Sequence, residues 1–347
     1  MKKSLTYDDI QLVPRYSDIP SRNDIKLHTL LTKRYGLLNP IVASPMDTVC
    51  ELEMAYKMFV LGGVGCVHRF NTIEEQSNIV KELYKRIFFS ELPKVEWNVG
   101  CGIPPIMAAI GVSENDKERA TKLVESGCNV ILIDVAHGHH KNVKNILDWC
   151  QKNLDDKVDY IAGNIATSEA AQELESWGVD GLRVGIGGGS LCTTRIKTGF
   201  GIPNVSCLED IVSVAKTPVM ADGGIRTSGD ISKALALGAS QVMLGSLIAG
   251  TDEAPGDIIE TTNGLYKRYR GSASLETKVT HGQVTRNVEG ESTTIPYKGG
   301  VKFIVNGLID GIKSALSYGG ARDLKQFNPS YVVVTNSGLN EAKPHLL

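Results

Sequence analysis

Several things are missing from this 347-residue chain, and each absence narrows what it can be. No excess of either charge is present: 37 Lys and Arg face 39 Asp and Glu, a formal net charge of −2. The electrostatic footprint needed to hold nucleic acid or an anionic membrane surface is therefore lacking. No uninterrupted apolar run approaches the length that spans a bilayer. The N-terminus, MKKSLTYDDIQLVP, has two lysines but no apolar stretch behind them, which argues against a secretory signal. Seven cysteines, an odd number with no CxxC pair, argue against a disulfide framework or a zinc site and for a reducing, cytoplasmic setting. There is no low-complexity tract and no repeat beyond a strand–helix unit.

What is present is a rhythm. Short apolar runs recur as PIVAS (40–44), GVGCVH (63–68), MAAIGV (107–112), VILIDVA (130–136), YIAGN (160–164), GLRVG (181–185), PVMADGG (218–224) and QVMLGS (241–246). Amphipathic patterns such as ERATKLVESG, ATSEAAQELESWG and SGDISKALALGA separate them. Continuous apolar strands alternating with helices indicate a parallel sheet buried on both faces. Eight such units predict an α/β fold of the closed (β/α)8 TIM-barrel type. The open doubly wound alternative would carry GxGxxG at its first strand–helix turn, and none is there. The whole chain, 1–347, reads as a single catalytic domain with the barrel strands at about 40–246.

Chemistry in such barrels gathers at the C-terminal strand ends. Here these ends supply Ser44, Met46, Asp47, His68, Asp134, His137, Asn164, Asp222 and Ser246. The seventh and eighth ends add Gly223-Gly224 and Gly245-Ser246, where backbone amides commonly bind phosphate. A phosphorylated small molecule is the expected ligand. The histidines near these ends, His68, His137 and His139, have no carboxylate spacing that suits a metal and are expected to hydrogen-bond. Two connections are long, 186–217 and 247–300, and read as loops serving the site. The first contains GIGGGSLCTTR (185–195), which sets Cys192 behind a run of glycines. A cysteine in so mobile and polar a setting is placed for reaction. Residues 1–39 and those after 301 are expected outside the barrel, with FIVNGLIDGIKSALSYGGA as an amphipathic helix.

Together LTYDDIQLVP, ASPMDTV, GGVGCVHRF, DVAHGH, AGNIAT, VGIGGGSLCTTR, MADGGIRTSGDI, ALGASQVMLGSLIAGTDEAPG, YRGSAS, RNVEG and PYKG resemble the IMP dehydrogenase/GMP reductase family over essentially the whole length. The resemblance implies a purine mononucleotide (GMP or IMP) whose phosphate rests around Ser190, Gly224, Gly245 and Ser246. Asp222 would hold the ribose hydroxyls, and Ser44, Met46, Tyr269, Gly271 and Ser272 would surround base or phosphate. Cys192 would attack C2 of the purine, with Thr194 and Glu289 as the proton relay. A nicotinamide cofactor would lie near Asp134, Asn164 and Gly187, and Arg286, or Lys278, would meet the extra phosphate of NADPH. The carbonyls of Gly187, Gly189 and Cys192 would hold a monovalent cation such as potassium (K+), although GIGGGS departs from the usual GIGPGS at Gly188. A homotetramer is implied as well.

The two main activities of that family separate on one feature. Dehydrogenases hydrolyse a bound xanthylate and carry an Arg-Tyr pair on a long flap. Here only SASLETKVTHGQVTRNV lies between YRG and EG, and no such pair occurs in it. The CBS domain usual in dehydrogenases is absent between His68 and Met107. These features favour GMP reductase with NADPH. DVAHGH, AGNIAT and GGIRTSGD are worded more like a dehydrogenase, so NAD-dependent oxidation of IMP is the alternative. A non-catalytic purine nucleotide-binding protein is the third reading, and intact Cys192, Thr194 and Glu289 weigh against it.

Overall fold

In the computed structural model, residues 3–89, 96–280, 288–335 and 337–338 are described. Eight parallel strands close into a barrel: β1 (Ile41–Ala43), β2 (Val64–Val67), β3 (Met107–Ile110), β4 (Val130–Asp134), β5 (Asp159–Ile165), β6 (Gly181–Val184), β7 (Val219–Asp222) and β8 (Gln241–Leu244). β8 pairs with β1 through Val242 and Ile41, which closes the ring. Each strand coincides with one of the eight apolar runs in the sequence.

Period-two alternation divides the strand residues between two cores. Val42, Cys66, Met107, Ala109, Val130, Leu132, Ile161, Met220 and Met243 fill the barrel interior. Ile41, Ala43, Ala108, Ile110, Ile131, Ile133, Leu182, Val184 and Val242 face outward and pack beneath the helices. Leu31, Tyr35, Leu37 and Trp97 join the interior cluster, and the Trp97 indole donates to the Gly36 carbonyl at 3.0 Å. The barrel is thus a packed core, and space for a ligand exists only at an end.

The helices follow their strands: α1 (Leu52–Val60), α2 (Ile73–Phe89), α3 (Asn115–Glu125), α4 (Lys141–Asn153), α5 (Ser168–Ser176), α6 (Thr194–Thr198), α7 (Asn204–Val212) and α8 (Ser228–Ala236). In α4 the buried residues are Val143, Ile146, Leu147 and Cys150, an i, i+3, i+4, i+7 stripe that seats the helix on the sheet. Threonines start two of them: Thr167 accepts from the Ala170 amide at 3.2 Å and Thr227 from the Asp230 amide at 3.1 Å.

The two long connections are more ordered than their sequence suggests. Residues 186–217 contain α6 and α7. Residues 247–300 contain an antiparallel sheet of β9 (Ile259–Thr261), β10 (Gly264–Arg270) and β11 (Ser292–Pro296), together with α9 (Leu275–Thr280). The second shows no strong apolar period, because β9–β11 are half-exposed and pack over a rim, whereas in the first α7 buries Val205, Leu208 and Ile211, a helical stripe the sequence reading passed over. The C-terminal helix α10 (Val301–Tyr318) buries Val301, Val305, Leu308, Ile312 and Leu316 outside the barrel, where the amphipathic pattern had placed it. Ile10–Leu12 pairs antiparallel with Tyr331–Val333, so the two ends of the described chain meet. Among the described residues, no helix is long and apolar enough to cross a membrane.

Candidate active site

A cleft of about 460 Å3 opens at the C-terminal strand ends, between the β6–α6 loop and the flap sheet. Ser44, Met46, Asp134, Asn164, Gly187, Gly189, Ser190, Cys192, Thr194, Asp222, Gly224, Gly245, Ser246, Tyr269, Gly271, Ser272 and Glu289 all line it. Arg286 lies outside the described residues, as does the side chain of Lys278.

The reactive end is a short chain of hydrogen bonds. Cys192, half-buried, donates its thiol to Thr194 Oγ1 at 3.2 Å, and Thr194 Oγ1 donates to Glu289 Oε2 at 2.8 Å. Glu289 arrives from far along the chain, and the backbone fixes it there. The Thr193 amide donates to the Glu289 carbonyl at 2.9 Å, Glu291 donates to Leu191 at 3.0 Å, and Cys192 bridges Gly290. The base of the flap is stitched to the cysteine loop, so the carboxylate and the thiol share one rigid unit. This connected thiol, hydroxyl and carboxylate can add a sulfur to an electrophile and move a proton beside it.

The other cysteines differ in kind. Burial pushes the Cys128, Cys150 and Cys207 thiols up to about 12, and it raises Cys50 and Cys66 as well. Only Cys101 is exposed.

Glycines also line a rim of the cleft. Gly223 and Gly224 adopt φ of +92° and +73°, left-handed backbone that favours glycine at both positions. A β-carbon at Gly245 would lie 3.0 Å from the Tyr269 hydroxyl and 3.3 Å from the Met46 sulfur. Glycine there lets both close on the loop. The Tyr269 hydroxyl is 3.2 Å from Ser190 Oγ. Its pKa is raised by burial, against the pull of that hydrogen bond, so it stays a neutral hydroxyl.

The cleft also holds a buried arginine, Arg183, which the sequence motifs left out and which lies between the two aspartates they named. Alternation turns Arg183 of β6 into the barrel, level with Asp134 of β4 and Asp222 of β7. Its guanidinium bonds Asp222 Oδ2 through Nε (3.1 Å) and Nη2 (3.0 Å), and Asp134 Oδ1 through Nη1. Gly163 stands between Asp134 and Arg183 in the strand register. A β-carbon there would lie 2.6 Å from that of Arg183, so a side chain would obstruct the crossing. Burial opposes the charge on Arg183, but Asp222 and Asp134 outweigh it and raise its pKa. Arg69 Nε reaches Asp134 Oδ2 at 3.3 Å, and Phe70 also lines the cleft. A lone arginine inside an apolar strand pattern was the available signal, since a buried guanidinium requires acidic partners.

Asn164 bonds Asp222 Oδ2 at 2.7 Å and the Gly185 carbonyl at 2.6 Å, which joins it to the Asp222 side of the cleft. The Gly189 carbonyl accepts from the Cys192 amide at 3.1 Å. Gly187 lies in the left-handed region at φ +82°. Among the described residues no group of three or more His, Cys, Asp or Glu could hold a metal ion. His68 lies 3.0 Å from Glu51 Oε1 and accepts from the Phe70 amide, and His139 contacts Glu173, so these two of the three histidines hydrogen-bond as expected, while His137 stands edge-on to His139 with ring centroids 6.4 Å apart.

Comparison with known proteins agrees with this geometry. Residues 4–345 match the model of the IMP dehydrogenase/GMP reductase domain. An inosine-5'-monophosphate dehydrogenase from Cryptosporidium parvum is 38% identical, across 99% of this chain and 95% of its own length. A GMP reductase from Leishmania major is 31% identical, across 99% and 97%. A cysteine-to-alanine variant of GMP reductase from Trypanosoma brucei, crystallised with guanosine 5'-monophosphate, superposes with a TM-score of 0.90 at 30% identity and covers 100% of this chain and 98% of that one. With a family model spanning nearly the whole chain, a barrel of matching fold and a cleft lined by the motif residues, this chain is an oxidoreductase of the IMP dehydrogenase/GMP reductase family.

Proposed function

We propose that the chain is a GMP reductase, converting GMP to IMP and ammonia with NADPH. The observation that carries this reading is the combination of the Cys192–Thr194–Glu289 relay with a flap that has no Arg-Tyr pair between Gly271 and Glu289. Arg268 and Tyr269 do occur together, but on β10, where Tyr269 lies beside Ser190 at the phosphate rim. Hydrolysis of a covalent xanthylate needs an activated water, and this flap lacks the Arg-Tyr pair that would activate it. Loss of ammonia needs a proton donor, and Thr194 backed by Glu289 is one.

In this reading the Gly223–Gly224 and Gly245–Ser246 amides with Ser190 and Tyr269 take the 5'-phosphate. Asp222, oriented by Arg183 and Asn164, takes the ribose hydroxyls. The Cys192 sulfur, as thiolate, adds to C2 of the purine, and the ring nitrogen next to it gains a proton. The 2-amino nitrogen takes a proton relayed from Glu289 through Thr194 and leaves as ammonia, while the ring nitrogen gives up the proton it gained and the C2–N double bond re-forms. NADPH supplies the hydride that C2 then receives, and release of the thiolate restores Cys192. Asp134 and the Arg69–Phe70 wall lie on the side left for the nicotinamide, and Arg286 would meet its extra phosphate. Gly187, Gly189 and Cys192 carbonyls would coordinate a potassium ion, and a homotetramer is the assembly proposed.

A second reading, NAD-dependent oxidation of IMP, draws support from the 38% identity to a dehydrogenase. One pair of mixtures separates them: GMP with NADPH, and IMP with NAD, followed at the reduced-nicotinamide absorbance. Loss of signal in the first alone supports the reductase, and gain in the second alone overturns it. Cys192→Ala should abolish turnover while retaining mononucleotide binding. Glu289→Gln should lower kcat about 100-fold or more at little change in KM, in line with general acid–base contributions. Unaltered turnover in either variant refutes the relay.

A further inference from the structure

Asn204 is the first residue of α7, and no motif assigned it a role. Its backbone is anchored: the Val205 amide donates to the Leu5 carbonyl at 3.1 Å, and the Leu5 amide donates to Ser206 Oγ at 2.8 Å. From that base the buried amide reaches between two loops. Asn204 Nδ2 donates to the Gly223 carbonyl at 2.5 Å, on the glycine rim. Its other face lies against Gly188 of the cysteine loop. A β-carbon at Gly188 would sit 2.7 Å from Asn204 Oδ1, 2.8 Å from Nδ2 and 3.1 Å from Cγ. One at Gly224 would sit 2.6 Å from Nδ2. The amide therefore fills the space that side chains at both positions would occupy.

Gly188 is not required by its own backbone. Gly187, Gly223 and Gly224 have φ in the left-handed region, and Gly188 does not. Alanine would be free to adopt the backbone at 188, and what forbids it is the Asn204 amide. That amide is held in place by its bond to the Gly223 carbonyl. Asn204 Oδ1 has no hydrogen-bond partner among the described residues, so the Gly223 bond sets its orientation.

We propose that Asn204 is a positioning residue whose amide sets the spacing between the Gly223–Gly224 loop and the cysteine loop at Gly188, so that the phosphate cradle and the Cys192 thiol stay in one register. The role given to the phosphate rests on the mononucleotide reading above. The coupling between the two loops does not.

The test is a double-mutant cycle of Asn204→Ala and Gly188→Ala. Its first readout is the rate of Cys192 alkylation by iodoacetamide in the unliganded chain, followed on the Cys192 peptide by mass spectrometry. The second is the affinity for GMP. Either substitution breaks the same wedge, one by deletion and one by displacement. Each single variant should change the alkylation rate by about threefold or more and weaken GMP by about fivefold to tenfold, the scale of one lost hydrogen bond. The double variant should match either single within about twofold. Asn204→Asp, with the same shape but an acceptor facing the Gly223 carbonyl, should reproduce the change, and a retained melting temperature in each variant excludes general unfolding. Wild-type behaviour of Gly188→Ala, or factors that multiply in the double variant, overturns the proposal. Should GMP and IMP both fail to bind or react, the alkylation arm still decides the coupling, and the mononucleotide reading fails separately.

Discussion

Replacing Arg183 with methionine keeps most of the side-chain length and removes the charge that joins Asp134 to Asp222. The two carboxylates are affected unequally. Asp134 retains Arg69 at 3.3 Å, whereas Asp222 loses both contacts to its cation and keeps only the neutral amide of Asn164 at 2.7 Å. Removing one partner of a buried pair costs about 3–5 kcal/mol, because the other charge stays buried and uncompensated. The Asp222 side chain is 19% exposed and recovers some hydration, so the low end, about 3 kcal/mol, is expected. For a chain of 347 residues the unfolding entropy is about 0.7 kcal/mol/K, so the melting temperature should fall by about 4 °C at pH 7.5. Asp222→Asn in the Arg183→Met background should return part of the loss, although Asp222→Asn in the wild-type background destabilises. Differential scanning calorimetry of the four proteins measures the coupling directly. Additive shifts, or no shift in Arg183→Met, would refute the argument that the buried guanidinium exists to hold these two carboxylates.

Tyr269→Phe removes one hydroxyl from the proposed phosphate rim and leaves the relay intact. The mononucleotide KM should rise about threefold to tenfold with kcat nearly constant, and a change confined to kcat would place Tyr269 elsewhere in the reaction. Brief alkylation of the native chain at pH 7.5 should label Cys192 and Cys101 and spare the five buried thiols, which desolvation holds protonated. GMP should protect Cys192 and leave Cys101 reactive. Labelling of Cys66 or Cys128 before unfolding would contradict the burial described.

Legibility from sequence followed the range of the interactions. The strands, the helices α3, α5 and α8, and α10 carry their signals within a few residues, as apolar runs or 3.6-residue periods, and these were readable in place. The cysteine behind its glycines and the glycine pairs after β7 and β8 were readable for the same reason. The second long connection was read as a loop because β9–β11 are half-exposed and repeat no apolar pattern. Arg183 was passed over because its meaning lies in alternation and register: only when β4, β6 and β7 align does it face two aspartates. Asn204 was passed over because nothing near it in the chain distinguishes it.

By itself, then, the sequence determined eight strand–helix units, the closed parallel barrel they imply, and a thiol set in a glycine-rich loop. Tertiary structure alone decided that Glu289 stands 2.8 Å from Thr194 across 95 residues of chain, that Arg183 lies between Asp134 and Asp222, and that Asn204 occupies the space beside Gly188. The physical reason is that periodicity and turn chemistry act over neighbours in sequence, whereas side chains from different strand ends meet only once barrel closure has fixed the distances between them.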